Sequence, residues 1–128
     1  MSMNTFDFGH GPVPAHQHSN GGGWVADTAT VADTAYVGPD AKVFDNASVL
    51  DNARVFGNAI VFDNAWVYGN ARVFGNAIVF DNASVSDNAS VLDNARVSGK
   101  AIVFDNAIVF GNAIVFGDAK VSGDAVLS

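Results

Sequence analysis

From Val25 onward the chain repeats a six-residue unit, Ala-x-Val-x-(Asp/Gly)-(Asn/Asp), with no residue inserted or deleted. Valine stands at every sixth position from Val25 through Val121, seventeen times without a miss, and Leu127 takes the next slot. Alanine does the same from Ala29 to Ala125. A period of six is not a multiple of 3.6, so a helix would smear these positions around its circumference. Within each unit Ala and Val lie two apart, which puts both on one face of a strand. The next two positions are mostly pairs such as Asp45-Asn46, Gly57-Asn58 and Gly117-Asp118. These residue types tolerate left-handed backbone angles and so form corners. Each hexapeptide therefore predicts a short strand plus a bend. So short a strand cannot bury its Ala and Val alone, and the units must coil and stack on one another.

Val43, Ala47 and Val49 show an aliphatic residue, a small one four positions later and the aliphatic again. On this pattern, held over residues 25–128, the chain resembles the hexapeptide-repeat proteins. The resemblance implies an all-β fold, a left-handed parallel β-helix with a triangular section and about eighteen residues per coil. Residues 25–127 then fill between five and six coils. Handedness and cross-section follow from the resemblance alone. Residues 24–128 are expected to be the β-helix, and residues 1–23 an irregular cap or oligomerisation arm. The segment Ser19–Val25, with the Asn-Ala repeats, is similar to small phage and prophage hexapeptide proteins, which implies a virion or phage-encoded accessory role.

With Ala and Val inward, the core is a column of small side chains with no room for a ligand. The residues flanking each Val point outward. Stepping by eighteen, one face carries Phe44, Phe62, Phe80 and Phe116, interrupted by Ser98, beside Ile60, Ile78 and Ile114. A second face carries Trp66 with Tyr68, then Ile102 with Phe104. A third carries Phe56, Phe74, Leu92 and Phe110 beside Arg54, Arg72 and Ile108. Stacked rings can simply stabilise a thin coil. The Ile/Phe face also exceeds what a soluble monomer normally exposes. Phe44, Ile60, Phe62, Ile78, Phe80, Ile114 and Phe116 are therefore the expected interface of a homo-oligomer. A trimer is favoured over a dimer because the family's enzymes are usually trimers. The apolar collar near the carboxyl end adds stacking or burial in a larger protein assembly as options. At one corner Asp27, Asp45, Asp63 and Asp81 stack, with Asn46, Asn64 and Asn82 beside them. The asparagines can form an amide ladder. The aspartates read as solvated turn residues, with a bound Ca²⁺ as the alternative.

The search for chemistry in the repeat ends quickly. Hexapeptide-repeat acyltransferases use a histidine base on a loop leaving the coil, and γ-class carbonic anhydrases hold zinc with three histidines. Here His10, His16 and His18 all precede the repeat, and no loop interrupts it. The chain is expected to be non-enzymatic and to need no cofactor. One metal hypothesis arises from His16-Gln17-His18. Alternate strand residues put both imidazoles on one side, and three chains on an axis would supply six nitrogens to an octahedral cation. Solvated or capping histidines are the competing reading.

Six basic residues against thirteen acidic ones give a charge of −7, which argues against nucleic acid and an anionic membrane surface as partners. The chain has no cysteine for a disulfide or thiolate site. The first residues lack the basic start and apolar stretch of a signal peptide, so a virion or cytoplasmic setting is expected. These readings converge on a rigid, self-associating β-helical rod, phage-related and structural. A hexapeptide acyltransferase completed by a partner, or an inhibitor of a host protein, are the alternatives.

Overall fold

Each hexapeptide from Trp24 onward becomes one short strand and one corner. The computed structural model describes residues 4–128, and among them there are twenty strands and no helix. Strands β1 (Thr5–Asp7) and β2 (Pro12–Gln17) form a hairpin, and β3 (Trp24–Ala26) opens the first coil. Each later hexapeptide adds a two-residue strand ending on its Val or, last, on Leu127. From β3 onward the strands pair in parallel at a spacing of eighteen residues: Val25 with Val43, Val43 with Val61, Val67 with Val85. Three sheets of eight, six and six strands result, one per face, stacked six coils deep. The fold is a parallel β-solenoid of about eighteen residues per turn, three hexapeptides to each coil, as the resemblance implied.

The valines and alanines fill the interior. Val37 through Val109 are fully buried at every repeat, as are the alanines from Ala47 to Ala107. Each buried valine contributes about 1.5–3 kcal/mol, and the alanines keep the prism narrow enough to exclude voids. The residues either side of each Val donate their N–H groups to the next coil: Lys42 to the Ala59 carbonyl and Phe44 to the Val61 carbonyl, both at 3.1 Å.

The corners explain the choice between Asp and Gly. Seven aspartates (45, 51, 63, 81, 87, 93 and 105) sit in left-handed conformation at φ 57–59°, where glycine is otherwise the easy residue. That conformation costs an L-residue roughly 1–2 kcal/mol. In each case one carboxylate oxygen accepts the backbone N–H of the next coil's corner residue, as Asp51 does from Gly69 and Asp87 from Asp105, both at 3.1 Å. A hydrogen bond to a charged group is worth about 1.5–3 kcal/mol, enough to offset the strain. The carboxylates are thus tied to backbone as well as solvated. The amide ladder lies elsewhere than expected. Asn58, Asn76 and Asn94 share long bonds of 3.4 Å, and Asn70 reaches Asn88 at 3.5 Å. Among the described residues Asn46, Asn64 and Asn82 make no such bond.

The amino-terminal segment is more regular than its composition predicts; residues 1–3 of it lie outside the described residues. Strand β2 pairs antiparallel with β3, placing His16 opposite Val25, and so extends the first face's sheet by two strands. Phe6 stacks on Trp24 at 5.0 Å, and Phe8 stacks on Phe44 at 4.8 Å. The loop after β2 crosses the amino edge of the third face. Val37 donates to the Asn20 carbonyl and accepts from the Gly23 N–H, both at 3.0 Å. Gly21 is required there: at φ 116° a Cβ would lie 2.1 Å from the Val37 carbonyl oxygen.

Candidate functional site

The coils divide the outward apolar residues into those that cover one another and those that do not. Phe44, Phe62 and Phe80 stack face to face at 5.0 and 5.3 Å, and Phe8 of the hairpin continues the ladder. Phe44 is only 9% exposed; Phe62, Phe80, Ile60 and Ile78 are half-buried. Identical rings one coil apart hide each other's faces, which alternation in the sequence cannot reveal. In the adjoining column Arg96 separates Ile78 from Ile114. Beyond it Ile114 and Phe116 stand 61% and 68% exposed. The expected seven-residue face is therefore two surfaces, one largely self-covered and one open.

The second face carries the open aromatics of the middle coils. Trp66 is 47% exposed and Tyr68 37% exposed. In register Trp66 lies between Ser48 and Ser84, so no ring covers it from either side. Leu50 and Ser84 join these two aromatics around a shallow hollow of about 260 Å³. Trp66 and Tyr68 were absent from the expected interface set. A bulky ring with serine eighteen residues before and after it is the signal that finds such a site.

The histidines are brought to different environments. His16 Nδ1 lies 2.8 Å from Asp27 Oδ1, and both side chains are about half exposed. His18 is buried, with Nε2 2.8 Å from the Ala35 carbonyl. His16 belongs to β2 but His18 follows its end, so strand alternation does not carry from one ring to the other. Among the described residues no three His, Asp or Glu side chains gather as a metal-ligand set. At the aspartate corner, burial pushes the Asp63 carboxyl above its ordinary value; the Asp81 N–H bond opposes this, and the charges of Asp45 and Asp81 add to it.

A family model described as the YdcK beta-solenoid repeat matches residues 53–69, 65–81 and 71–87, the central coils of the stack. The chain is a β-solenoid repeat protein. In this solenoid the matched coils hold the open aromatics Trp66 and Tyr68. No curated protein and no solved structure matches it.

Proposed function

We propose that this solenoid is a non-enzymatic structural or interaction module, a rigid rod that self-associates through aromatic side chains on its outside. The observation that carries the reading is Trp66 beside Tyr68, exposed on the second face of the central coils and flanked in register by serines. Tryptophan and tyrosine are the residue types that dominate binding energy when a partner desolvates them. Ile114 and Phe116 offer a second apolar contact lower on the first face. The unbroken parallel register from β3 to the last coil supports rigidity, since every coil is tied to its neighbours along three sheets. A trimer ahead of a dimer, and a phage virion or accessory setting, rest on the sequence resemblance alone.

Sedimentation of the full chain at micromolar concentration tests the reading. We expect a homo-oligomer that a Trp66→Ser, Tyr68→Ser double variant shifts to monomer, with the melting temperature unchanged at concentrations where the wild type is itself dissociated. A monomeric wild-type chain, or turnover of an acyl-CoA by the purified protein, would sink it.

A further inference from the structure

Arg54 and Arg72 are register neighbours on the third face, one coil apart. The chain has six basic residues, and these are the two that stack in register. Adjacent strands lie about 4.8 Å apart, and like charges held so close on one sheet face oppose each other. A carboxylate beside either would relieve this, and the chain has thirteen acidic residues to choose from. The next residues in the column are instead Tyr36 above and Ser90 below, both uncharged. Among the described residues neither arginine is ion-paired; the one close pair is His16 with Asp27.

Beside this pair runs a second column. Phe56 and Phe74 stack at 4.8 Å and 1°. The residue eighteen before Phe56 is Gly38, so the ring column ends there and no ring stacks in parallel on the amino side of Phe56. Tyr36 stands edge-on to that ring at 6.5 Å. The space left is a hollow of about 490 Å³ lined by Asn20, Thr34, Tyr36, Asn52, Arg54 and Phe56. Asn20 Nδ2 donates to the Ala35 carbonyl, and the Thr34 hydroxyl donates to the Asp51 carbonyl. Their remaining oxygen lone pairs are acceptors for hydroxyl groups.

We propose that this groove binds a carboxylate-bearing saccharide. The Phe56 ring is the platform for the C–H face of a sugar, the Asn20, Thr34 and Asn52 side chains meet its hydroxyls, and Arg54 and Arg72 share the carboxylate. Guanidinium forks match carboxylate geometry, and a shared anion removes the repulsion between them. A polyphosphate or nucleic acid fits less well, because two cations on a chain of net charge −7 cannot offset a polyanion. The groove lies on a different face from Trp66, so this inference stands or falls apart from self-association.

Calorimetric titration of the full chain with an aldobiouronic acid, a disaccharide with a single carboxylate, with its methyl ester and with ATP tests it. The aldobiouronic acid should bind below about 1 mM, and the ester about tenfold more weakly. Arg54→Gln and Arg72→Gln should each weaken binding about tenfold without lowering the melting temperature, since each removes a like-charge neighbour. Phe56→Leu should weaken acid and ester alike. Absence of aldobiouronic acid binding at about 10 mM, equal binding of the ester, unchanged binding by the double arginine variant, or tighter binding of ATP would each overturn the proposal.

Discussion

The carboxylate of Asp81 accepts the backbone N–H of Gly99, eighteen residues on and one coil further along, at 3.0 Å. Asp81 holds a left-handed conformation to do so, at φ 58°. The same clasp recurs at all seven left-handed aspartates, each joining residues eighteen apart in the chain but adjacent in space. Substitutions at Asp81 separate its two terms. Asp81→Asn keeps an acceptor and a tolerant backbone and should stay within about 0.5 kcal/mol of wild type. Asp81→Gly relieves strain but loses the clasp, and Asp81→Ala loses both, with a cost of about 1–3 kcal/mol by chemical denaturation. Equal stability of the Ala and Asn variants would show that the clasp contributes nothing.

Asp63 makes the corner sensitive to pH. Burial and the flanking carboxylates raise its folded-state pKa above 3.8, so the folded chain holds this proton more tightly than the unfolded one. Stability from this group is therefore greatest in acid and falls as pH rises through the window above 3.8. Asp63→Asn, whose amide oxygen can still accept the Asp81 N–H, should melt at or above wild type at neutral pH. The gap should close below about pH 3. Circular-dichroism melts of both proteins across that range decide it; a variant less stable than wild type at pH 7 refutes the assignment.

The core is narrow enough to punish change in either direction. Val67 is fully buried and Ala65 likewise. Val67→Ala removes two methyl groups and leaves a void, with an expected loss of about 2 kcal/mol. Ala65→Leu overfills the same coil and should cost about 1–3 kcal/mol or more. Urea denaturation checks both.

The hairpin depends on a glycine that the repeat does not contain. Gly21→Ala drives a Cβ against the Val37 carbonyl oxygen at 2.1 Å, at a φ of 116° that side chains rarely adopt. The loop should lift from the third face and loosen β2, exposing residues 4–20 to limited proteolysis while the coils stay intact. An unchanged cleavage pattern would show that the loop absorbs the methyl group.

Laddered and lone rings should respond oppositely. Phe62→Ala opens the stack between Phe44 and Phe80 and should cost about 1–3 kcal/mol. Trp66→Ser, matching Ser48 and Ser84 on either side, should change monomer stability by less than about 0.5 kcal/mol. Denaturant midpoints of the two variants at low protein concentration make the comparison.

Much of the architecture was legible because the repeat is one-dimensional. The alternation of Ala and Val chose strand over helix, and with three hexapeptides to a coil, as the resemblance implied, the unbroken period stacks each Val on the Val eighteen residues away, as Val67 does on Val85. The amino-terminal segment was less legible. Its Phe6 and Phe8 have no periodicity of their own, and their role emerges only from the rings they meet, Trp24 and Phe44. The site residues were half legible: the sequence places Phe44, Phe62 and Phe80 in one column, but not whether such a column is covered or open.

The sequence by itself determined the strand, the corner and the inward residues, since each follows from spacing within the hexapeptide; eighteen residues per coil was implied by the family resemblance. Only the tertiary structure decided what the outer side chains do. A ring's exposure depends on its neighbours one coil above and below: rings hide Phe62, serines leave Trp66 open, and Gly38 uncovers Phe56. The meaning of the corner aspartates was settled the same way, because whether a carboxylate is solvated or clasped depends on the backbone N–H that the next coil brings to it.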